Sequence, residues 1–114
     1  KQNENLIHTL DSSIEELYVK KSLSFFNKLY PNSEKNLKIV FTSLHGTSHK
    51  LIPTLLKKTG FLEVKLVDKQ MTPDGNFTHA KSSNPENKLA LVDAIEIAKK
   101  NNSDLVIGTW STLT

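Results

Sequence analysis

The apolar positions of this chain change their spacing along its length. Between residues 14 and 29, Ile14, Leu17, Tyr18, Lys21, Phe25 and Leu29 fall mostly on one helical face at spacings of three and four. Ser13 and Glu16 stand at its start in the Ser-x-x-Glu arrangement of a capping box. The spacing predicts a helix over 14–29. Pro31 ends it, because a proline pushes the preceding residue out of the α region. Residues 1–11 are polar and read as a connecting segment, although Leu6, Ile7 and Leu10 could pack.

The pattern then shortens. Residues 37–43 (Leu-Lys-Ile-Val-Phe-Thr-Ser) are β-branched and nearly continuous in apolar character at their centre, as in a strand buried on both faces. His45-Gly46-Thr47-Ser48 reads as a tight turn into a helix reaching about residue 59, with Leu51, Ile52, Leu55 and Leu56 inward. Pro53 is tolerated only in a first turn, where its missing N–H is no loss, so the helix start is predicted at 50–52. Gly60 is the candidate C-cap. Residues 61–67 form a second strand and Leu105-Val106-Ile107-Gly108 a third. Between them Leu89, Leu91, Val92, Ile95, Ile97 and Ala98 make a broad apolar stripe that closes on Lys99-Lys100, charges suited to a helix C-terminus. Asn84-Pro85 predicts where this helix starts, with Asn84 as cap and Pro85 in the first turn.

The stretch 70–86 (Gln-Met-Thr-Pro-Asp-Gly-Asn-Phe-Thr-His-Ala-Lys-Ser-Ser-Asn-Pro-Glu) has no apolar period. It is far longer than the roughly 4–6 residues of an ordinary connection, yet it is not low-complexity. It reads as an ordered loop. The element order, a helix and then βαβαβ, predicts an α/β fold: a three-layer sandwich around a mainly parallel sheet. Ligands of such sheets sit beyond the carboxyl ends of the strands. Three segments converge there: 42–48, 69–86 and Gly108-Thr109. No internal repeat is evident.

Composition narrows the classes. A chain of 114 residues suffices for a single small domain with a core. It holds no apolar run near the roughly 20 residues of a membrane span and no secretory signal pattern, which favours the cytoplasm. Without cysteine there is no disulfide framework or thiolate metal site. All fifteen basic residues are Lys, scattered along the chain, for a net charge of +3. With no Arg to supply the bidentate fork that reads bases, sequence-specific nucleic-acid binding is not expected.

The candidate chemistry is sparse. His45 and Gly46, at a strand end before a helix, could meet an anion through free backbone N–H groups, but a glycine and a histidine there also serve backbone geometry and loop anchoring. Asp74-Gly75 is a turn signal first; a lone carboxylate does not make Asp74 a base or a ligand. Phe77 reads as a plug that seats the loop. His8, His45, His49 and His79 lack metal-ligand spacing on one element, and no serine lies in a nucleophile-elbow pattern. The residues alone describe an α/β domain with an elaborated ligand-end loop and no self-contained catalytic set.

Three motifs carry a resemblance. Thr42-Ser43-Leu44-His45-Gly46-Thr47, the 70–86 loop with its Pro-Asp-Gly-Asn-Phe and Asn-Pro-Glu, and Ser103-Asp104-Leu105-Val106-Ile107-Gly108-Thr109 resemble, in order and spacing, the second domain of the α-D-phosphohexomutases, most closely the longer phosphoglucomutase/phosphomannomutase type. The likeness covers about residues 37–109. It implies a four-domain cytoplasmic isomerase that interconverts hexose 1-phosphates and 6-phosphates through a phosphoserine on its first domain. A Mg2+ ion would be held by an Asp-x-Asp-x-Asp loop on the second domain, and the third and fourth would grip the hexose phosphate. Such phosphoryl transfer relies on positioning and charge neutralisation. Thr42, His45, Gly46, Asp74, Gly75, Asn84, Pro85, Glu86, Gly108 and Thr109 would then line the cleft.

The chain also departs from the pattern. The family's aspartate loop would follow Thr109, where Trp110-Ser111-Thr112-Leu113-Thr114 stands instead, and no Ser-His-Asn-Pro nucleophile loop is present. Ser43, Ser48 and Ser83 replace the usual Pro, Gly and Pro, and Thr78-His79 the usual Pro-Thr. The expectation is therefore a single domain cut at or near its third strand, with a tail at 110–114 unlike the family, as an excised fragment or, alternatively, a naturally truncated relative. It would hold no metal or cofactor and no catalytic residue, and would not turn over alone. Its partners would be the other domains of the parent enzyme, with no nucleic acid and no membrane. An unprotected third strand would favour self-association. The competing expectation is a non-catalytic, flavodoxin-like binding or interaction module.

Overall fold

The structure, a computed structural model, describes residues 3–32, 34–61 and 63–110. The chain divides into two compact units, Lys1–Pro31 and Asn32–Thr114. The first holds a single 3-10 turn, Glu4–Leu6, and helix α1, Ser12–Leu29. The capping-box expectation is corrected here. Asp11, not Ser13, is the N-cap: its carboxylate accepts the Ser13 N–H at 2.7 Å and also the Ser13 hydroxyl. The Ser13 hydroxyl first, then its N–H, hold the Asp11 carboxyl below its ordinary range. A carboxylate at this position also faces the positive end of the helix dipole, which a serine hydroxyl cannot match. At the other end the Tyr30 N–H returns to the Phe26 carbonyl at 2.9 Å, just before Pro31.

The second unit is built on three parallel strands, β1 (Lys38–Thr42), β2 (Glu63–Leu66) and β3 (Leu105–Gly108), in the order β2-β1-β3. Val40 pairs with Lys65 on one side and Val106 on the other. Asp104 sets the register of β3: its N–H donates to the Lys38 carbonyl, and its carboxylate accepts the Lys38 N–H, each at 2.9 Å. Helix α2 (Leu51–Lys58) connects β1 to β2, and α3 (Val92–Asn101) connects β2 to β3. The first crossover runs from β1 out to β2 and the second from β2 back past β1 to β3, so the two run in opposite directions. Right-handed connections therefore put α2 and α3 on opposite faces of the sheet, giving the three layers.

Alternation along β1 divides its residues between those faces. Val40, with Val106 beside it, packs under α3 with Val67, Ala94, Ala98 and Ile97. Ile39 and Phe41 point to the other face and are 1% and 0% exposed. The inner face of α3 agrees with the predicted stripe at Ile97 and Ala98 and differs from it elsewhere. Ala90, just before the helix, Ala94 and Ala98 are buried at spacings of four, whereas Leu89 and Ile95 are exposed. Small residues let the helix axis approach the sheet, and the larger apolar residues are displaced outward.

The predicted helix start at Asn84-Pro85 is also corrected. Residues 84–87 form one isolated turn, with the Asn84 carboxamide accepting the Glu86 N–H at 2.9 Å and the Asn84 carbonyl accepting the Asn87 N–H at 3.0 Å. Asn87 is extended, which breaks that turn, and caps a 3-10 segment, Lys88–Leu91, that leads into α3. Asparagine competes with the backbone for local hydrogen bonds, and the two of them make two successive starts. The α2 start at Leu51 agrees with expectation, and Pro53 sits buried in its first turn. Gly60 stands one position past the cap, Thr59, in the left-handed region at φ +90°.

Candidate functional site

The strand order reverses at β1 and β3, and the crevice beyond the carboxyl ends of two such strands is the usual ligand position of an open α/β sheet. Here β1 leaves the sheet through two consecutive left-handed residues, Leu44 (φ 47°) and His45 (φ 63°). Neither is glycine, so the turn carries strain that its surroundings must offset. Three bonds do so. The Leu44 N–H donates to the Thr42 hydroxyl at 3.1 Å, the His45 N–H to the Gln70 carbonyl at 2.7 Å, and the Gly46 N–H to the Ser43 carbonyl at 2.8 Å.

Gln70 is the hub of the region, and sequence reading had given it no role beyond opening the loop. It is 1% exposed. Its Oε1 accepts from the Thr42 hydroxyl at 2.7 Å, and its Nε2 donates to the His79 carbonyl at 2.8 Å and to Asp93 Oδ2 at 3.1 Å. Its main-chain carbonyl also accepts the Ser43 hydroxyl at 3.1 Å. The same Asp93 oxygen pairs with Lys69 at 3.1 Å. Strand β1, the long loop and α3 thus meet on one buried amide. Gln70 closes a 3-10 segment, Asp68–Gln70, four residues past β2, and its burial requires that every donor and acceptor of the amide be matched.

His45 is the second anchor. It is 2% exposed. Its Nδ1 lies 2.8 Å from the Thr72 carbonyl, and its Nε2 accepts the His79 N–H at 3.1 Å. Its own carbonyl accepts the Asp74 N–H at 3.2 Å. The Phe77 ring meets the imidazole edge-on at 6.4 Å. Asp74 is engaged within the loop: Oδ1 accepts the Asn76 N–H at 2.9 Å and Oδ2 the Thr78 N–H at 3.0 Å together with the Thr78 hydroxyl. The Thr78 hydroxyl first, then the two N–H groups, lower the Asp74 pKa to about 2. Both His45 nitrogens and both Asp74 oxygens are therefore engaged in hydrogen bonds within the domain. A pocket of about 510 Å3 opens beside them, with Asp68, Lys69 and Thr72 in its wall.

The remaining candidates gather at the other side of the crevice. Gly108 pairs with Thr42 across the sheet. A Cβ on Gly108 would come within 2.6 Å of Leu91 Cδ2, so the bare glycine lets the Leu91 side chain close over β3, while Pro85 Cβ, at 3.5 Å, would remain in ordinary contact. The Thr109 N–H donates to the Thr42 carbonyl at 3.1 Å, and the Thr109 and Ser48 hydroxyls are hydrogen-bonded to each other. Thr42 is wholly buried and acts from beneath. Gly75 lies apart, at the exposed tip of the loop, with nothing within 4 Å of where its Cβ would stand. Trp110 is exposed, and residues 111–114 of the predicted tail lie outside the described residues. Among the described residues no three His, Asp or Glu side chains converge to hold a metal ion.

Comparison with known proteins gives this geometry a context. The chain is 41% identical over 109 residues to a phosphoglucomutase of Staphylococcus aureus strain N315, and 40% identical to that of strain MRSA252. The matches cover 96% of this chain and 19% of each relative, so the chain spans about a fifth of the length of those proteins. No solved structure matches it. A family model described as phosphoglucomutase/phosphomannomutase, alpha/beta/alpha domain II, matches residues 16–109. These residues include every strand, α2, α3 and both anchors of the long loop, and the chain belongs to the phosphoglucomutase/phosphomannomutase family as its domain II.

Proposed function

We propose that this domain forms one wall of the active-site cleft in a longer phosphohexomutase that interconverts hexose 1-phosphate and hexose 6-phosphate through a phosphoserine. The observation that carries the reading is the domain II match over residues 16–109, supported by relatives of which this chain is about a fifth. In this reading Thr42, His45, Gly46, Asp74, Asn84, Pro85, Glu86, Gly108 and Thr109 shape the wall and perform no chemistry. The engaged His45 and Asp74 side chains suit such a role.

The family implies magnesium. The donor groups among the described residues do not fit such a site, so no step is assigned to the ion in this chain, which alone is expected to be inactive. No helix among the described residues is long and apolar enough to cross a membrane; the proposed place in the cytoplasm rests on the family alone. Among the described residues β3 pairs only with β1 and lies at the sheet edge, an arrangement that favours self-association of the isolated chain. Sedimentation showing monomer at every concentration would count against that last point.

The test of the function uses the full-length protein encoded by the parent gene. With magnesium and hexose 1,6-bisphosphate it should convert glucose 1-phosphate or mannose 1-phosphate to the 6-phosphate, and the 114-residue chain should not. Failure of the full-length protein on both sugars would overturn the assignment. Turnover by the isolated chain would overturn the claim that this wall carries no chemistry.

A further inference from the structure

The hydrogen bonds of His45 admit one state of its ring. Thr72 offers a carbonyl oxygen, an acceptor only, so Nδ1 must carry a proton. His79 offers a backbone N–H, a donor only, so Nε2 must keep its lone pair. The neutral Nδ1–H tautomer satisfies both, whereas an imidazolium presents two donors and sets its Nε2–H against the His79 N–H. The ring is 2% exposed, so water cannot take over the lost bond while the loop stays closed. We propose that His45 is a proton-sensitive latch: the neutral ring clips the 72–79 segment to the end of β1, and protonation of Nε2 releases it.

The charged and titratable neighbours do not restore the lost hydrogen bond. Asp74, on the latched loop, attracts a charged His45 ring but has both oxygens engaged by Asn76 and Thr78. Asp93, from α3, is engaged by Gln70 and Lys69. Asp68 and Lys69 stand in the wall of the adjoining pocket. His79 is exposed with its ring centroid 5.9 Å from that of His45, so its own protonation adds a like charge beside an imidazolium at His45. Gln70 holds the His79 carbonyl independently at 2.8 Å. The loop therefore loosens around residues 72–79 while its root at Gln70 and the sheet stay in place. Release would open the pocket wall formed by Thr72, Pro73 and Thr78.

The test is made on the 15N-labelled 114-residue chain by NMR. At neutral pH the ring shifts of His45 should identify the Nδ1–H tautomer. Lowering the pH from about 7.5 to about 5, the span in which histidine gains its charge, should raise amide exchange over 72–79 by about tenfold or more after correction for the intrinsic rate. Protection of Ile39 and Val40 should hold. His79→Gln should keep the transition, and His45→Gln should make loop exchange independent of pH. If His45→Gln fails to fold, the wild type and His79→Gln decide: loop exchange that tracks the His45 ring titration in both supports the latch. An Nε2–H ring at neutral pH, loop protection that ignores pH, or loss of the transition in His79→Gln would each overturn it.

Discussion

The hydroxyl of Thr42 donates to the side-chain carbonyl of Gln70 across 2.7 Å, although the two residues lie 28 apart in the chain. The amide orientation follows from its other end, where His79 and Asp93 offer only acceptors. Replacing Gln70 by Met keeps the volume and removes every side-chain bond. The Thr42 hydroxyl, the His79 carbonyl and Asp93 would each lose a partner, at about 1–3 kcal/mol per buried unsatisfied group. Urea unfolding of Gln70→Met should show a loss of about 2–4 kcal/mol. Gln70→Glu should be at least as damaging at neutral pH, because it sets a carboxylate against Asp93.

Gly108 is required for closeness rather than for backbone freedom. The Cβ of Gly108→Ala would meet Leu91 Cδ2 at 2.6 Å, which is the end of a flexible side chain and can move. The expected cost is about 1–2 kcal/mol from overpacking. Leu91→Ala leaves a cavity of its own, but the double variant should lose less than the sum of the two, by about 0.5 kcal/mol or more. A double-mutant cycle by thermal or urea unfolding measures this; strict additivity would place the clash elsewhere.

Asp74 gives the loop an acid limit. Its folded pKa is lowered to about 2 from 3.8, chiefly by the Thr78 hydroxyl. The sign follows from linkage. A depressed carboxylate contributes stability that is fully present above its unfolded value and is lost as pH falls toward 2. Amide exchange at Asn76 and Thr78 should therefore quicken between about pH 4 and about pH 2. Asp74→Ala should show the fast exchange already at neutral pH, with the sheet amides unaffected.

Ala94 is wholly buried between α3 and the sheet. Ala94→Leu would add three carbons where the helix lies on Val40 and Val67, so about 1–3 kcal/mol of destabilisation is expected. Ile95→Ala, at an outward position 38% exposed, should change stability by much less. Reversal of that ranking in denaturant unfolding would mean that the helix is rotated relative to the face described above.

Local signals sufficed where one residue's preference decides the outcome. Pro31 and Pro53 bound their helices as proline must, and the β-branched runs became parallel strands joined by helices. The Asp-Gly pair at 74–75 made a turn, with Asp74 bonded to the residues just after it. His45 also proved to be a loop anchor. Where two local signals competed, the neighbours chose: Asn84 and Asn87 both bind a following N–H, and only the second leads into α3.

Which residues carry the candidate site was a matter of tertiary contact. Gln70 has no local pattern that separates it from a surface glutamine; its importance comes from Thr42, His79 and Asp93 arriving at one amide. The inner face of α3 was misread for the same reason. Periodicity takes in Ala98 but ranks Leu89 and Ile95 above Ala90 and Ala94, because it weighs apolar size and not the distance at which a helix can lie on a sheet. The sequence by itself determined the order of elements, the parallel sheet and, through three motifs, the family. The tertiary structure decided which polar groups are buried and which partners satisfy them, because a hydrogen bond between residues 28 apart in the chain exists only once the fold has brought them together.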